Sequence, residues 1–187
     1  KLSYGGSADS TMLKGDFDPR MDIRNADVER TYAMADELAE LNKKAVELAD
    51  LLKDAEAIMN ANDAMIKADS RPKDEMENIN TISKDTRGIL DSLFIEMFGP
   101  EDDGRQGIVR NPNNSVSNAL RAPARYLGSA YWGPGSNETD LFRLAEIALE
   151  EFTAKVNNFI SVEWPGYKKA VEEANLSAFK ELKPVQE

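Results

Sequence analysis

The sequence predicts an all-α fold: an antiparallel bundle of about four helices with a long first helix, preceded by a short extended N-terminal segment. Three observations predict it. Apolar residues recur at alternating spacings of three and four along most of the chain. Gly and Pro gather at a few points between those stretches, where they end or turn a helix. No segment alternates apolar and polar residues for long enough to build a sheet of its own.

The first 22 residues differ from the rest, being rich in Ser, Gly, Thr and Asp. Within them Met12-Leu13-Lys14-Gly15-Asp16-Phe17 suits a short extended piece, and Asp18-Pro19 holds Asp18 away from helix. Residues 1–22 therefore read as a strand or linker that needs a partner, and residues 23–187 as the bundle. Asn25 is the expected N-cap of the first helix, with Asp27 and Glu29 in the first turn, where the helix dipole favours them. Thr31, Met34, Leu38, Leu41, Ala45, Leu48, Leu52, Ala55 and Met59 then form a heptad seam that can extend to Ile66. Asn60, Asn62 and Asp63 weaken the pattern and place the helix end near Ala61, giving a rod about 60 Å long at about 1.5 Å per residue.

Pro72 is the expected opening of the second helix. Met76, Ile79, Ile82, Ile89, Leu93 and Met97 mark its apolar face, Gly88 suggests a close helix approach, and Gly99-Pro100 ends it. Residues 99–113 read as a loop. A third helix is expected from about Ser115, with Val116, Leu120, Ala124, Leu127 and Tyr131 inward, and with Pro123 kinking it or delaying its start. After Gly133-Pro134-Gly135, Ser136 or Asn137 should cap a fourth helix, with Asp140 in its first turn and Leu141, Ala145, Ala148, Phe152, Val156 and Phe159 as its stripe. Trp164-Pro165-Gly166 is expected to break that helix, leaving a short last one from Tyr167 to Ala174 and a frayed terminus from Lys183.

Composition narrows the chemistry. The 187 residues include 34 acidic and 23 basic side chains, a net charge of −11, and neither His nor Cys. Imidazole bases, His or Cys metal ligands, thiol nucleophiles and disulfides are therefore excluded for this chain. Surplus negative charge argues against nucleic acid and anionic lipid as partners. No apolar run approaches the length of a membrane span. The N-terminus lacks both an initiator Met and the apolar stretch of a signal peptide, so the chain reads as processed or as a piece of a longer protein.

Two groups of residues carry a family likeness. One is Phe17-Asp18-Pro19-Arg20-Met21, then Ala26-Asp27-Val28 and the heptad helix. The other is Pro123, Tyr126, Leu127 and Tyr131 before Gly133-Pro134, with Trp164-Pro165-Gly166-Tyr167 at the far end. Over residues 1–180 the chain resembles the C-terminal helical region of bacterial sortilin-like, BNR-repeat β-propeller proteins, often labelled glycosyl hydrolases. It departs from that family in the acidic and Asn-rich loop at 99–114. The resemblance implies that residues 1–20 are the last strand of a preceding β-sandwich, and that any catalysis belongs to a propeller outside this chain. It also implies a periplasmic, cell-surface or secreted location.

Candidate chemistry within the chain has plain structural counterparts. A paired-carboxylate glycosidase site needs two acids flanking a groove, whereas Asp36, Glu37, Glu40, Glu47, Asp50 and Asp54 fall opposite the apolar seam as a solvated face. Glu40 with Lys44, and Glu151 with Lys155, have the spacing of helix ion pairs. Glu101-Asp102-Asp103-Gly104 offers hard oxygens for Ca²⁺ but not EF-hand spacing, and reads as an acidic turn. Trp132 and Trp164 would stack on a sugar only if close together; the fourth helix holds them about 40 Å apart, so each reads as an end-plug or a domain contact. Arg20, Arg24, Arg121 and Arg125 suit anion contacts but read as salt-bridge partners of the many acids.

No catalytic, metal or cofactor residue emerges. The expected role is a non-catalytic accessory or interaction domain, docked on its own upstream β-propeller and sandwich or on a partner subunit. A free-standing glycan- or peptide-binding module and part of a glycoside hydrolase are the alternatives, and the uninterrupted heptads of the long helix also permit a homodimer.

Overall fold

A computed structural model of the chain describes residues 2–4, 6–12, 15, 18, 20–72, 74–100, 114–128 and 132–176. Two short strands, β1 (Leu2–Tyr4) and β2 (Ser7–Asp9), pair antiparallel with Leu2 opposite Asp9 and Tyr4 opposite Ser7. The helices are α1 (Asn25–Ala68), α2 (Glu77–Phe98), α3 (Val116–Leu127), α4 (Ser136–Asn158) and α5 (Trp164–Ala174), with a single π-helical turn at Phe159–Glu163 joining the last two. The protein is an all-α bundle with a long first helix, and the hairpin stands ahead of it.

The heptad seam of α1 points inward as its spacing requires. Leu38, Ala45, Leu48, Leu52, Ala55 and Met59 are buried, and Met34 and Leu41 pack against them half-buried. The helix does not stop near Ala61; it continues to Ala68, 44 residues in all and about 66 Å long at about 1.5 Å per residue. Asn60 and Asp63 do not unwind it, because their side chains are engaged by Arg87 and Ser83 of α2. Asn25 is the first helical residue rather than the cap; the extended Arg24 precedes it and clasps the Asp27 carboxylate through Nε (2.7 Å) and Nη2 (3.0 Å).

The second helix begins at Glu77, not at Pro72. Asp69 leaves the helical region and its carboxylate accepts the Arg71 N–H (2.9 Å), which sets a turn. The Pro72 carbonyl then accepts from Glu75, and Met76 is already anchored in the core before the helix starts. The buried seam of α2 is Ile79, Ser83, Thr86, Leu90, Leu93 and Met97, an unbroken 4–3–4–3–4 series. Ile82 and Ile89, expected at its centre, are half-buried flanks because two polar residues hold the inward positions. Gly88 does not mediate a close approach: a Cβ built there meets nothing within 4 Å. Gly99 ends α2 at φ +92°, a conformation suited to glycine.

Ser115 caps α3, its Oγ accepting the Asn118 N–H at 3.3 Å. Pro123 neither delays the start nor ends the helix; it is buried on the inner face in place of Ala124, which is exposed. Tyr131 lies outside the described residues. In α4 the N-cap is Gly135, not Ser136 or Asn137, and its N–H donates to Glu138 Oε2 (2.9 Å), so Glu138 rather than Asp140 supplies the first-turn carboxylate. Its buried seam is Phe142, Ala145, Leu149, Phe152 and Val156, with Leu141 and Ala148 half-buried beside it.

Trp164-Pro165-Gly166 does not break this helix. In an α-helix the Pro165 ring would press on the carbonyl four residues earlier. The π-turn widens the backbone just ahead of it, with the Trp164 N–H reaching back five residues to the Phe159 carbonyl. The same extra residue resets the seam. Phe159 and Tyr167 are eight positions apart rather than seven, and both are buried.

Cross-helix contacts give the topology. Asp63 meets Ser83 and Arg87, while Asn60 meets Arg87, so α1 and α2 are antiparallel. Lys155 meets Glu96, and Ala170 clusters with Ile79, so α2 also opposes α4–α5. Gly133 abuts Asp27 and Arg30 at one end, and Arg71 bonds to the Ala174 carbonyl at the other, so α1 and α4–α5 are parallel rods of similar length. Helices α2 and α3 share the third side, α2 covering the end with α5 and α3 packing on α4 and α1 towards the other. The main core lies along all three sides, and a smaller cluster of Met76, Ile79 and Ala170 closes the α5 end.

Candidate functional site

Three places concentrate polar chemistry among the described residues. The first is the polar layer between α1, α2 and α5. Asp63 and Asn62 lie where the α1 seam would continue from Met59, and Ser83 lies on the α2 seam. The Ser83 hydroxyl donates to Asp63 Oδ1 (2.6 Å), and Arg87 Nη2 donates to Asp63 Oδ2 (2.8 Å) and Asn60 Oδ1 (2.9 Å). The Tyr167 side chain reaches this layer from α5. The residue is 1% exposed, and its hydroxyl lies near Asn62, Asp63, Ser83 and Arg87 without a well-formed hydrogen bond to any of them. Burial pushes the phenol's pKa above its usual value of 10.0.

The second place is a clasp at the opposite end. Asp27 is buried at the start of α1, and Arg24 and Arg30 hold its carboxylate, Arg30 at 3.2 Å. Gly133, at φ +83°, lies so close that a Cβ there would sit 2.9 Å from Arg30 Nη2 and 3.0 Å from the Asp27 Cβ. The clasp therefore fastens the turn before α4 onto α1.

The third is an open trough between α2 and the α4–π segment. Leu93 and Phe159 form its floor, Ile89 and Ala154 its walls, and the Glu96–Lys155 ion pair (2.7 Å) and Glu163 its rim. Lys155 thus pairs across to α2 and not with Glu151, and Glu40 and Lys44 form no ion pair. Asp36, Glu37, Glu40, Glu47, Asp50 and Asp54 are all exposed on the outer face of α1.

The remaining candidates separate. Trp164 is half-buried and packs on Phe159 (5.9 Å) and Tyr167 (5.4 Å), whereas Trp132 is 68% exposed, so the two form no common platform. Arg20 pairs with Asp18 through Nε (2.9 Å) and lowers that carboxyl's pKa. Arg24 belongs to the Asp27 clasp, while Arg121 and Arg125 lie exposed on α3 and make no ion pair among the described residues. Glu101, Asp102, Asp103 and Gly104 lie outside the described residues. No group of three or more Asp or Glu able to hold a metal occurs among the described residues. No helix among them is long and apolar enough to cross a membrane.

Sequence reading missed the polar layer. Its signal was present: polar residues occupied seam positions on two facing helices, at Asn62 and Asp63 and again at Ser83 and Thr86. Taken singly, Asn62 and Asp63 only weaken the pattern of the first helix. No family model, curated protein or solved structure matches this chain.

Proposed function

We propose that the chain is a non-catalytic helical strut, the C-terminal accessory domain of a larger exported β-propeller protein of the sortilin-like, BNR-repeat kind. Its work is to brace that protein's β domains or to present a helical face to a partner subunit, outside the cytoplasm. The observation that carries this reading is the contrast between hairpin and bundle. Strands of three residues, paired only with each other among the described residues, are marginal on their own. They gain stability when a preceding sheet adds its edge to theirs. The bundle behind them has two parallel rods of about 60 Å, long enough to span a neighbouring domain. The heptad seam of α1 is consumed inside this bundle, so a second copy has only the exposed Tyr32, Val46, Leu51 and Ile58 of that helix as large apolar side chains to dock on.

The coding sequence upstream of Lys1 tests the proposal. A β-propeller and sandwich encoded in frame supports it. A start codon and leader peptide directly ahead of Lys1 overturns it.

A further inference from the structure

We infer that the α5 end of the bundle is a hinged cap: residues 62–86 together with 167–174 open as one unit while the main core remains folded. Three features place the boundary there. The inward positions change from apolar to polar at Asn62, Asp63 and Ser83, so a hydrophilic layer interrupts the packing between the main core and the Met76–Ile79–Ala170 cluster, leaving Ile82 and Val171 to bridge them. That layer is incompletely satisfied, since the buried Tyr167 hydroxyl has no hydrogen-bond partner. Beyond it, three of the described residues form the buried cluster, and Ile66, Ile82, Val171, Ala174 and Leu176 around it are half-buried.

Opening the cap hydrates Asp63, Arg87 and the Tyr167 hydroxyl, groups that water serves as well as the folded state does. The apolar surface it exposes is the Tyr167 ring, which packs at the edge of the main core against Trp164, and the small Met76–Ile79–Ala170 cluster. Opening the main core would expose Leu52, Leu90, Phe152 and Phe159 together. Two ties resist the cap's opening: Ile82 and Val171 touch both clusters, and Arg71 Nη2 binds Asp69 (2.7 Å) and the Ala174 carbonyl (2.8 Å) at once. The cap is thus a separate cooperative unit with its own, lower opening free energy.

Native-state amide hydrogen exchange with increasing urea tests this on the whole chain. Amides of residues 62–68, 77–86 and 167–174 should share one protection factor, at least about 100-fold below that of Leu52, Leu90 and Phe152, with a weaker urea dependence. Val116→Ala, in the main core far from the cap, should lower protection of the core amides about tenfold and leave the cap amides unchanged. Arg87→Ala should lower both sets, because global unfolding also opens the cap. Equal protection of the two sets, or an equal fall of both in Val116→Ala, overturns the inference.

Discussion

From Met34 to Met59 of α1 the inward positions are apolar. Leu52, Leu90, Ala145, Phe152 and Val156 have no exposed surface, and each seam of the surrounding helices meets another apolar seam. From Asn62 onward the same three-sided geometry continues, but Asp63, Ser83, Thr86 and Arg87 hold the facing positions, and a three-residue cluster ends the rod. The two regions divide the work of folding. The apolar region supplies most of the buried apolar area, the main stabilising contribution. The polar layer contributes little net energy, but it matches only one register: a seven-residue slip of α2 would set Asp63 against Leu90 or Met76.

The largest expected effect tests that division directly. Leu90→Ala should destabilise by about 3 kcal/mol, whereas Ile79→Ala should cost about 1–2 kcal/mol, because its half-buried neighbours can collapse and rehydrate. Urea midpoints at constant slope measure both. Equal losses would mean that the two regions are not energetically distinct. Gly133→Ala follows, at about 2 kcal/mol, since it combines a left-handed φ with contact against Asp27 and Arg30. Its loss belongs to the α1 start, so it should leave the opening of the α5 end unchanged.

How much of this was legible depends on what kind of signal each residue carries. The α1 seam was, because its inward positions are apolar and repeat for several turns. The α2 seam was only half legible: Ile82 and Ile89 are more hydrophobic than Ser83 and Thr86, yet phase, not hydrophobicity, decides which side faces in. Locally Pro165 is a helix breaker, whereas the eight-residue step from Phe159 to Tyr167 carries the signature of the π-turn that accommodates it. Asn60 and Asp63 were read as helix-weakening because their partners lie more than 20 positions away, beyond any local window. The extended piece expected at 12–17 falls mostly outside the described residues, as does the acidic turn at 101–104.

Gly88→Ala should act in the opposite direction. The position is exposed, helical and open, so the substitution should stabilise the protein by about 1 kcal/mol through helix propensity. Because Gly88 sits where α2 passes from the polar layer to the main core, thermal unfolding should show a higher midpoint without a new transition. A loss of stability would instead mean that α2 needs flexibility between its two regions.

The smallest effects separate the regions by pH. Two groups with shifted pKa values, Asp69 and Tyr167, both belong to the α5 end. The Arg71 side chain, then its backbone N–H, holds the Asp69 carboxyl at about 2 against a usual 3.8. A lowered folded pKa means that its contribution is complete above pH 3.8 and disappears as pH falls towards 2. Tyr167 is shifted the other way by burial, so its contribution is complete below pH 10 and disappears above it, as the unfolded phenol ionises first. The opening free energy of residues 167–174, obtained from exchange rates corrected for the intrinsic pH dependence of amide exchange, should therefore be flat between these limits and fall at both extremes. Asp69→Asn should flatten the acid limb only. Tyr167→Phe should flatten the alkaline limb and, by removing an unpaired buried hydroxyl, raise stability at neutral pH by up to about 1 kcal/mol. An alkaline limb that survives in Tyr167→Phe would remove the phenol from the account of why this end of the bundle is the weaker one.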